Sequence, residues 1–293
     1  MRILVTGKNG QVGYELSRSL ACFGDIITTD SKTLNLSELS TLEDKVLSLK
    51  PDLIVNAAAY TAVDKAETEQ ELAYKVNSQG PEILAKVAKK LDIPLVHYST
   101  DYVFDGGSES AWKEDDTPNP MSVYGRSKLL GEEAIVKNTD KYLILRTSWV
   151  YDARGANFLN TMKRLAIDKV QLSIVNDQSG APTWSRHIAD ATAQIIGQSL
   201  LTKNNDEFWH KHSGIYHLSG AGKASWFDFA EAIFSLMEEQ GKTIPKIIPI
   251  PTRDYPTPAA RPTNSVLDNT KLFEHFGICL PEWKTTLKWV MTE

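Results

Sequence analysis

Short apolar runs alternate with longer amphipathic segments through the first half of the chain. The short runs contain few polar interruptions, as strands buried on both faces do, and the longer segments repeat apolar residues at helical spacing. This alternation predicts βαβ units and therefore a parallel sheet covered by helices on both faces. The predicted strands are RILVT, DIITTD, DLIVNAAA, PLVHYST and KYLILRTSW.

Four amphipathic segments between these strands are predicted to be helices. We expect the first to run to Gly24 and the second to begin at a Ser37 cap. The third is expected to be interrupted near Gly80 and Pro81, because both residues disfavour a helix interior. The segments are GQVGYELSRSLACFG, SELSTLEDKVLSLK, QELAYKVNSQGPEILAKVAKKL and MSVYGRSKLLGEEAIVKN.

The alternation ends at about Val150, where proline and glycine become frequent. One later strand, GIYHLSG, resembles the first-half strands and is expected to rejoin the sheet. An amphipathic helix capped by Ser225 and an edge strand with proline, KIIPI, follow. We therefore predict an α/β protein with a Rossmann-type doubly wound parallel sheet and a smaller, discontinuous C-terminal α/β substrate lobe. The nucleotide-binding domain is predicted to comprise residues 1–150 plus about 184–220, and the lobe about 151–183 plus 221–293.

Composition excludes several functional classes. The 293 residues carry a net charge of −5 with no cluster of Lys and Arg, so neither nucleic acid nor an anionic membrane surface is an expected partner. No segment approaches the roughly 18 apolar residues of a membrane span, and the run in MRILVTG is too short for a signal peptide. We expect a cytoplasmic protein whose two cysteines, Cys22 and Cys279, are reduced and buried.

Three glycines lie between the first strand and the first helix, in the order Gly7, Gly10 and Gly13. Glycine here permits a tight turn, close approach of the backbone to a pyrophosphate, and close packing of the helix, whose N-terminal N–H groups face the phosphates. The strand before and the helix after supply the context that a lone glycine pattern lacks. The sequence therefore predicts a dinucleotide site, with Gln11 and Val12 in its turn.

The second strand ends at Asp30, where an acid would accept hydrogen bonds from the adenosine ribose. Its charge favours NADH, whereas nearby Lys8 and Lys32 could accept the 2′-phosphate of NADPH. Both cofactors therefore remain open. Small residues that leave room for the cofactor end the third predicted strand, namely Ala57, Ala58 and Ala59.

Tyr124 stands four residues before Lys128, so the two side chains share one helix face. Two other tyrosines have a basic residue at this spacing, so the spacing alone does not identify a catalytic pair. The position of each pair in the predicted fold must identify it. Tyr124 opens the helix after the fourth strand, and that strand ends at Thr100 on the edge where ligands bind. Thr100 would orient a substrate carbonyl while Tyr124 protonates it as hydride reaches its carbon. The Lys128 ammonium would lower the pKa of the phenol from about 10.

These residues resemble the extended short-chain dehydrogenase/reductase superfamily, whose triad is Ser/Thr, Tyr-x-x-x-Lys. Over essentially its whole length the chain is similar to the dTDP-4-dehydrorhamnose reductase family, through GQVG, VNAAAYTAVDKAE, HYSTDYVFDG, SVYGRSK, LRTSWVY, NDQSGAPT and YPTPAARPTNS. The resemblance implies NADPH- or NADH-dependent reduction of the C4 ketone of dTDP-4-dehydro-6-deoxy-L-mannose, giving dTDP-L-rhamnose.

The resemblance also assigns site residues. Tyr60 and Thr61, with Ala59, would line the nicotinamide end of the cofactor site, where Tyr124 and Lys128 also lie. The expected substrate residues are Val63 and Trp149 as an apolar wall for the deoxysugar, Thr100, Asp101 and Tyr102 around its polar groups, and Arg261 beside the diphosphate.

Other members of the superfamily supply the alternatives. Sugar-nucleotide dehydratases carry Thr-Asp-Glu where this chain has Tyr102 in the third place, which favours plain ketone reduction. A sister reductase that makes dTDP-6-deoxy-L-talose could share every active residue. A non-catalytic subunit like the regulatory subunit of methionine adenosyltransferase is disfavoured by the intact triad.

The resemblance leaves the oligomeric state and Mg²⁺ open. Some family members form dimers bridged by magnesium through glutamates, one on the first helix and one just past GAPT. Glu15 is present here, but the second position is Arg186, and a cation cannot bind Mg²⁺. We expect no metal held by the protein, and a monomer or a weak homodimer.

Overall fold

The computed structural model describes residues 1–292 as helices and strands joined by short loops. The strands are β1 (Arg2–Thr6), β2 (Asp25–Thr28), β3 (Leu53–Asn56), β4 (Leu95–Thr100), β5 (Tyr142–Thr147), β6 (Val150–Tyr151), β7 (Gln171–Val175), β8 (Ser179–Gly180), β9 (Thr183–Trp184), β10 (Gly214–His217), β11 (Ala224–Ser225) and β12 (Lys246–Ile250). The helices are α1 (Gln11–Ser19), α2 (Leu39–Leu49), α3 (Val63–Ala66), α4 (Gln70–Tyr74), α5 (Gly80–Leu91), α6 (Val123–Asn138), α7 (Phe158–Asp168), α8 (Ser185–Leu201), α9 (Asn205–His212), α10 (Trp226–Glu239), α11 (Thr270–Phe276) and α12 (Trp283–Val290).

Six strands form one parallel sheet in the order β10-β5-β4-β3-β1-β2. The five first-half strands and the later strand that rejoins them are thus confirmed, as is the doubly wound α/β fold. The chain steps from β1 to β2 on one side and then to β3 on the other. In open parallel sheets, ligands bind outside the carboxyl ends of the strands at such a reversal.

Alternating side chains along the strands build a core on each face of this sheet. On β1, Ile3 and Val5 join the cluster packed under α1 and α8, whereas Leu4 joins the cluster under α2 and α5. All three are fully buried. Because successive side chains point to opposite faces, an uninterrupted apolar run is what a strand covered on both sides requires.

A third core lies in the C-terminal half, between α7, α10 and α12 and the parallel pair β7–β12. The predicted Ser225 cap is confirmed: its hydroxyl accepts a hydrogen bond from the Asp228 N–H, and the Asp228 carboxylate accepts one from the Ser225 N–H. The proposed division into two lobes stays a prediction. One part of the second lobe, including Leu272 and Phe276 of α11, packs into the core of the large sheet.

Several local expectations are wrong. The first helix ends at Ser19, and a 3₁₀ turn over Ala21–Phe23 leads to β2. Ser37 does not cap α2, because its hydroxyl donates to the Asn35 side chain. Both cysteines are exposed, since Cys22 lies in the surface turn and Cys279 points away from the core that its neighbours on either side enter.

The third helical segment is interrupted earlier than predicted. A π-helical turn over Lys75–Gln79 joins α4 to α5, and Gly80 continues the helix. Pro81 lies in the first turn of α5, where no N–H donor is needed. The wider π turn places the Asn77 side chain in the interior, fully buried. Such turns frequently mark functional positions in helices.

Candidate active site

The glycine turn has no space for side chains. A Cβ on Gly7, whose φ is +75°, would lie 2.8 Å from the Ala58 nitrogen. One on Gly13 would lie 2.1 Å from the Gly7 carbonyl oxygen. The turn between β1 and α1 therefore packs directly against the backbone that follows β3. This leaves the N-terminus of α1 open to a ligand, as binding of a pyrophosphate requires.

A cavity of about 680 Å³ opens at this edge of the sheet. A cleft of this size suits a cofactor. It brings together most of the predicted cofactor-binding residues: Gly7, Gly10, Gln11, Val12, Ala57, Ala58, Ala59, Tyr60, Thr61, Tyr124 and Lys128. Gly13 does not line the cavity and instead lets α1 pack on the turn.

Asp30 lies beside this cavity, and its neighbour Ser31 lines it. The carboxylate accepts hydrogen bonds from the Lys32 N–H and from the N–H and hydroxyl of Thr33. Although desolvation works against it, these bonds and Lys8 lower the pKa of Asp30 to about 2. The Lys8 ammonium is 3.5 Å from the carboxylate. The end of the cleft predicted to hold the adenosine ribose thus presents a carboxylate and an ammonium side by side.

The first turn of α6 is pressed against the loop after β4, and this contact brings Tyr124 to Thr100. Ser122 caps the helix by accepting a hydrogen bond from the Gly125 N–H at 3.1 Å. A Cβ on Gly125 would lie 2.2 Å from the Tyr102 carbonyl oxygen. The Tyr102 and Tyr124 rings meet edge to face, with their centroids 5.8 Å apart.

The structure corrects the expected acidity of Tyr124. Desolvation raises the pKa of its phenol to about 12, while a hydrogen bond with the Thr100 side chain acts in the opposite direction. The spacing of Tyr124 and Lys128 predicts a lowered pKa instead, because spacing along the sequence carries no information on the burial of the ring. The phenol is protonated at neutral pH, as a proton donor must be, and the raised pKa makes it a weaker acid until the tyrosinate is stabilised.

Lys128 is buried, with 1% of its surface exposed. Its ammonium donates to the Tyr98 carbonyl oxygen at 2.6 Å and lies 3.1 Å from His97 Nε2. Desolvation lowers the pKa of Lys128 to about 8, and the charge of Glu132 acts against that shift. Burial thus weakens the preference of Lys128 for its charged form, and the Tyr98 carbonyl and the Glu132 charge act in its favour.

Asn77 is a site residue that the sequence did not reveal. Its amide accepts from the Tyr60 N–H at 2.8 Å and donates to the Tyr60 carbonyl and the Ser127 hydroxyl. Ser127 in turn donates to the Tyr124 carbonyl. Asn77 therefore joins Tyr60, which is predicted to line the nicotinamide end of the cleft, to α6, the helix that carries Tyr124 and Lys128. The predicted helix interruption was the one sequence signal near Asn77, but it was placed at Gly80, after the π turn that contains Asn77.

A second cavity, of about 370 Å³, is lined in part by residues of α7, β7 and α10. It brings together three of the predicted substrate residues, Val63, Tyr102 and Arg261, with aromatic walls that include Trp226. The Arg261 guanidinium donates to the Asp64 carboxylate at 2.9 Å. Arg261 is therefore held in place by an acid in this structure, and its predicted contact with a diphosphate stays a prediction.

The other three predicted substrate residues, Thr100, Asp101 and Trp149, lie outside the lining of this second cavity. The Trp149 ring is stacked on Trp226. The Asp101 carboxylate is 2% exposed and accepts hydrogen bonds from Ser148 at 2.9 Å and Thr100 at 3.0 Å. Burial raises the pKa of Asp101 to about 6. The carboxylate holds Thr100 in place, and its predicted contact with the sugar stays a prediction.

Glu15 and Arg186, the positions compared with magnesium-bridged relatives, meet within the chain. Arg186 Nε donates to the Glu15 carboxylate at 3.2 Å, and Glu15 is 3% exposed. No group of three or more metal-ligating side chains occurs among residues 1–292. Within that range no helix has the length and apolar character that crossing a membrane demands.

Comparison with known proteins places this site in a family. The sequence profile of the family described as RmlD substrate binding domain matches residues 1–293. A dTDP-4-dehydrorhamnose reductase of Burkholderia thailandensis is 47% identical over 97% of this chain and 96% of that protein. One of Salmonella typhimurium is 45% identical over 100% of this chain and 98% of that protein.

Solved structures agree. A dTDP-4-dehydrorhamnose reductase of Clostridium acetobutylicum superposes with a TM-score of 0.91 at 38% identity, covering 100% of this chain and 99% of that one. One of Bacillus anthracis, solved in complex with NADP, superposes with a TM-score of 0.89 at 34% identity, covering 99% and 98%. The glycine turn, the triad and full-length similarity agree: this chain belongs to the dTDP-4-dehydrorhamnose reductase family.

Proposed function

We propose that this protein is an NADPH- or NADH-dependent reductase that converts the C4 ketone of dTDP-4-dehydro-6-deoxy-L-mannose to the alcohol of dTDP-L-rhamnose. The observation that carries the proposal is that Tyr124 and Lys128 line the same cavity as the glycine turn at Gly7 and Gly10. A proton donor and a dinucleotide cradle that share one cleft are what reduction of a carbonyl requires.

The residues of this chain hold and move one proton. When bound, the reduced nicotinamide supplies the hydride for the carbonyl carbon. Thr100, which donates its hydroxyl proton to the Asp101 carboxylate in this structure, would turn that proton to the carbonyl oxygen of the substrate. Tyr124 gives its phenolic proton to that oxygen and regains a proton from solvent. The Lys128 ammonium holds the nicotinamide ribose and stabilises the tyrosinate while it lasts.

The cofactor cradle fits either nicotinamide cofactor. Asp30 would accept a hydrogen bond from the ribose hydroxyls of NADH, and the neighbouring Lys8 offers a cation to the 2′-phosphate of NADPH. The solved relative with NADP bound supports the second. Affinities for both cofactors, measured by fluorescence titration of this protein, decide the preference.

The second cavity is the proposed site of the sugar nucleotide. Val63 and Trp149 would form the apolar wall for the deoxysugar, Tyr102 would contact its polar groups, and Arg261 would exchange part of its contact with Asp64 for the diphosphate.

We propose a cytoplasmic protein that is a monomer or a weak homodimer without a magnesium bridge. A bridging magnesium ion would need the Glu15 carboxylate, and that carboxylate is already paired with Arg186. Sedimentation with and without EDTA tests this, and an EDTA-sensitive dimer would contradict it.

One experiment tests the function. The protein is supplied with dTDP-4-dehydro-6-deoxy-L-mannose and NADPH or NADH, loss of the reduced cofactor is followed by absorbance, and the product is identified by NMR. We expect dTDP-L-rhamnose. If neither cofactor is oxidised, the proposal fails. If dTDP-6-deoxy-L-talose forms, the protein is a ketone reductase and the proposed stereochemistry at C4 is wrong.

A further inference from the structure

A continuous chain of buried polar side chains runs beneath the active site, from the cofactor turn to the lysine of the triad. The Ala58 N–H donates to the Thr6 hydroxyl at 3.2 Å, and Thr6 Oγ1 lies 2.5 Å from Asn56 Oδ1. Asn56 Nδ2 is 2.8 Å from His97 Nδ1, and His97 Nε2 is 3.1 Å from Lys128 Nζ. The four side chains are each no more than 1% exposed.

His97 lies in the middle of this chain on β4, a strand that is otherwise apolar up to its carboxyl end. A buried imidazole without partners would cost free energy. Here each ring nitrogen has one, Asn56 on one side and Lys128 on the other. Desolvation and the nearby Lys128 charge hold the pKa of His97 well below its usual range. The ring is therefore neutral, with one nitrogen as donor and the other as acceptor.

Because the imidazole is neutral, the hydrogen bonds between Lys128, His97, Asn56 and Thr6 can run in either of two directions. If Lys128 is charged, it donates to Nε2, the Nδ1–H donates to the Asn56 carbonyl, and the Asn56 amide donates to Thr6. If Lys128 is neutral, the Nε2–H donates to Nζ, Nδ1 accepts from the Asn56 amide, and Thr6 donates to its carbonyl. The Asn56 amide nitrogen faces Nδ1 in this structure, which is the second arrangement, and the first follows when the Asn56 amide turns over. The charge of Lys128 and the tautomer of His97 are therefore linked.

We propose that His97 is a positioning residue of this enzyme, which holds the Lys128 ammonium in place and favours its charged form by accepting its hydrogen bond at Nε2. Its catalytic consequence rests on the reduction proposed above, in which charged Lys128 stabilises the tyrosinate of Tyr124. The hydrogen bond itself does not depend on that function.

Other charged groups near Lys128 have their own partners. Glu132, one turn further along α6, is bound by the Arg146 guanidinium of β5 at 2.6 Å. Tyr124 precedes Lys128 on the same helix, and the Tyr98 carbonyl is the remaining acceptor. His97 is thus the neutral group whose replacement changes the lysine environment without removing a charge.

Two amide variants separate the ends of the imidazole. The side chain of His97→Gln reaches the position of Nε2 and keeps a partner for Lys128. That of His97→Asn reaches only Nδ1 and keeps the contact with Asn56. Both stay polar and of similar size. His217→Gln is the matched control, since His217 is also fully buried, on β10.

The first readout needs no turnover. Protein labelled with ¹³C-lysine is titrated by NMR, and the Lys128 side-chain signal is assigned by its loss in Lys128→Met. Because a hydrogen bond to a charged group favours the charged form, we expect His97→Asn to lower the titration midpoint of Lys128 by about one pH unit. His97→Gln and His217→Gln should leave it within about a third of that shift.

The second readout is the pH profile of turnover. The alkaline limb should move to lower pH in His97→Asn and stay in place in His97→Gln. Equal midpoints in all variants, or equal shifts in both His97 variants, would overturn the proposal. If His97→Asn does not fold, His97→Ala carries the test, because it also removes the partner of Lys128 at Nε2. An unchanged Lys128 midpoint in that variant would overturn the proposal.

The two hypotheses fail separately. A wild-type protein that reduces no ketone rejects the proposed function, whereas the NMR titration still decides the role of His97.

Discussion

The indole rings of Trp149 and Trp226 lie parallel, with 3.5 Å between their centroids and 5° between their planes. Trp149 has a φ of +44°, a strained backbone for a bulky residue. Its carbonyl accepts from the Thr183 N–H, and a Cβ on Gly180 would lie 2.4 Å from its ring. The Trp149 ring is thus fixed at the edge of the proposed substrate cavity.

We expect Trp226→Leu to raise KM for the sugar nucleotide by about 3- to 10-fold, because Trp149 loses its stacking partner. KM for NADPH should not change. Steady-state kinetics with each substrate varied measure both constants. Trp289→Leu removes an exposed indole on α12 and is the control. A rise in both KM values would show that the change is not confined to the sugar site.

Tyr124→Phe removes the phenolic hydroxyl, and with it the proton, and keeps the aromatic ring. Turnover is expected to fall by about 10²- to 10⁴-fold, the usual contribution of a positioned general acid. The affinity for NADPH, measured by fluorescence, should stay within about twofold because the ring remains. Turnover near that of the wild type would contradict the assigned role.

Gly13→Ala should weaken NADPH binding by more than about tenfold. The new Cβ would lie 2.1 Å from the Gly7 carbonyl and push α1 away from the turn. Calorimetric titration gives the affinity. Gly197→Ala is the control, because its Cβ would meet only the Phe23 ring, at 3.4 Å. Equal affinities in the two variants would refute this reading of the turn.

Asn77→Leu should lower the free energy of unfolding by about 1–3 kcal/mol, since the N–H and carbonyl of Tyr60 lose their partners. Gln79→Leu makes a similar change two residues along, where the side chain is exposed, and should stay within about 0.5 kcal/mol. Urea denaturation measures both. The same loss in each variant would mean that helix propensity, not Asn77, is responsible.

The raised pKa of Asp101 predicts that the free energy of unfolding depends on pH. Burial raises the pKa of its carboxyl from 3.8 to about 6 in the folded protein. The folded state therefore binds more protons than the unfolded state between these values, and stability from this group falls as the pH rises from about 4 to 6. The full difference is about 3 kcal/mol.

The test is Asp101→Asn. Relative to the wild type, this variant should gain free energy of unfolding as the pH rises from about 4 to 7. Asp105→Asn is the contrasting control: hydrogen bonds from the Gly107 N–H and Asn119 lower the pKa of Asp105, so its contribution is instead lost as the pH falls. Identical pH dependence in the two variants would refute the assignment.

Local patterns were sufficient for much of this protein. The uninterrupted apolar strands predicted the parallel sheet, because only a strand covered on both faces lacks polar positions. The glycines before α1 predicted the cofactor turn, and the order of strands placed Tyr124 and Lys128 at the ligand-binding edge. Each of these depends on sequence spacing and on the few ways in which parallel strands connect.

Only the tertiary structure decided the environment of those residues. The pKa of Tyr124 rises because the packed protein excludes water from its ring, although sequence spacing predicted that Lys128 would lower it. Asn77 reaches Tyr60 because a π turn rotates it inward. His97 meets Lys128 because β4 and α6 pack side by side. Desolvation and contacts between distant segments depend on three-dimensional distances that spacing along the chain does not determine.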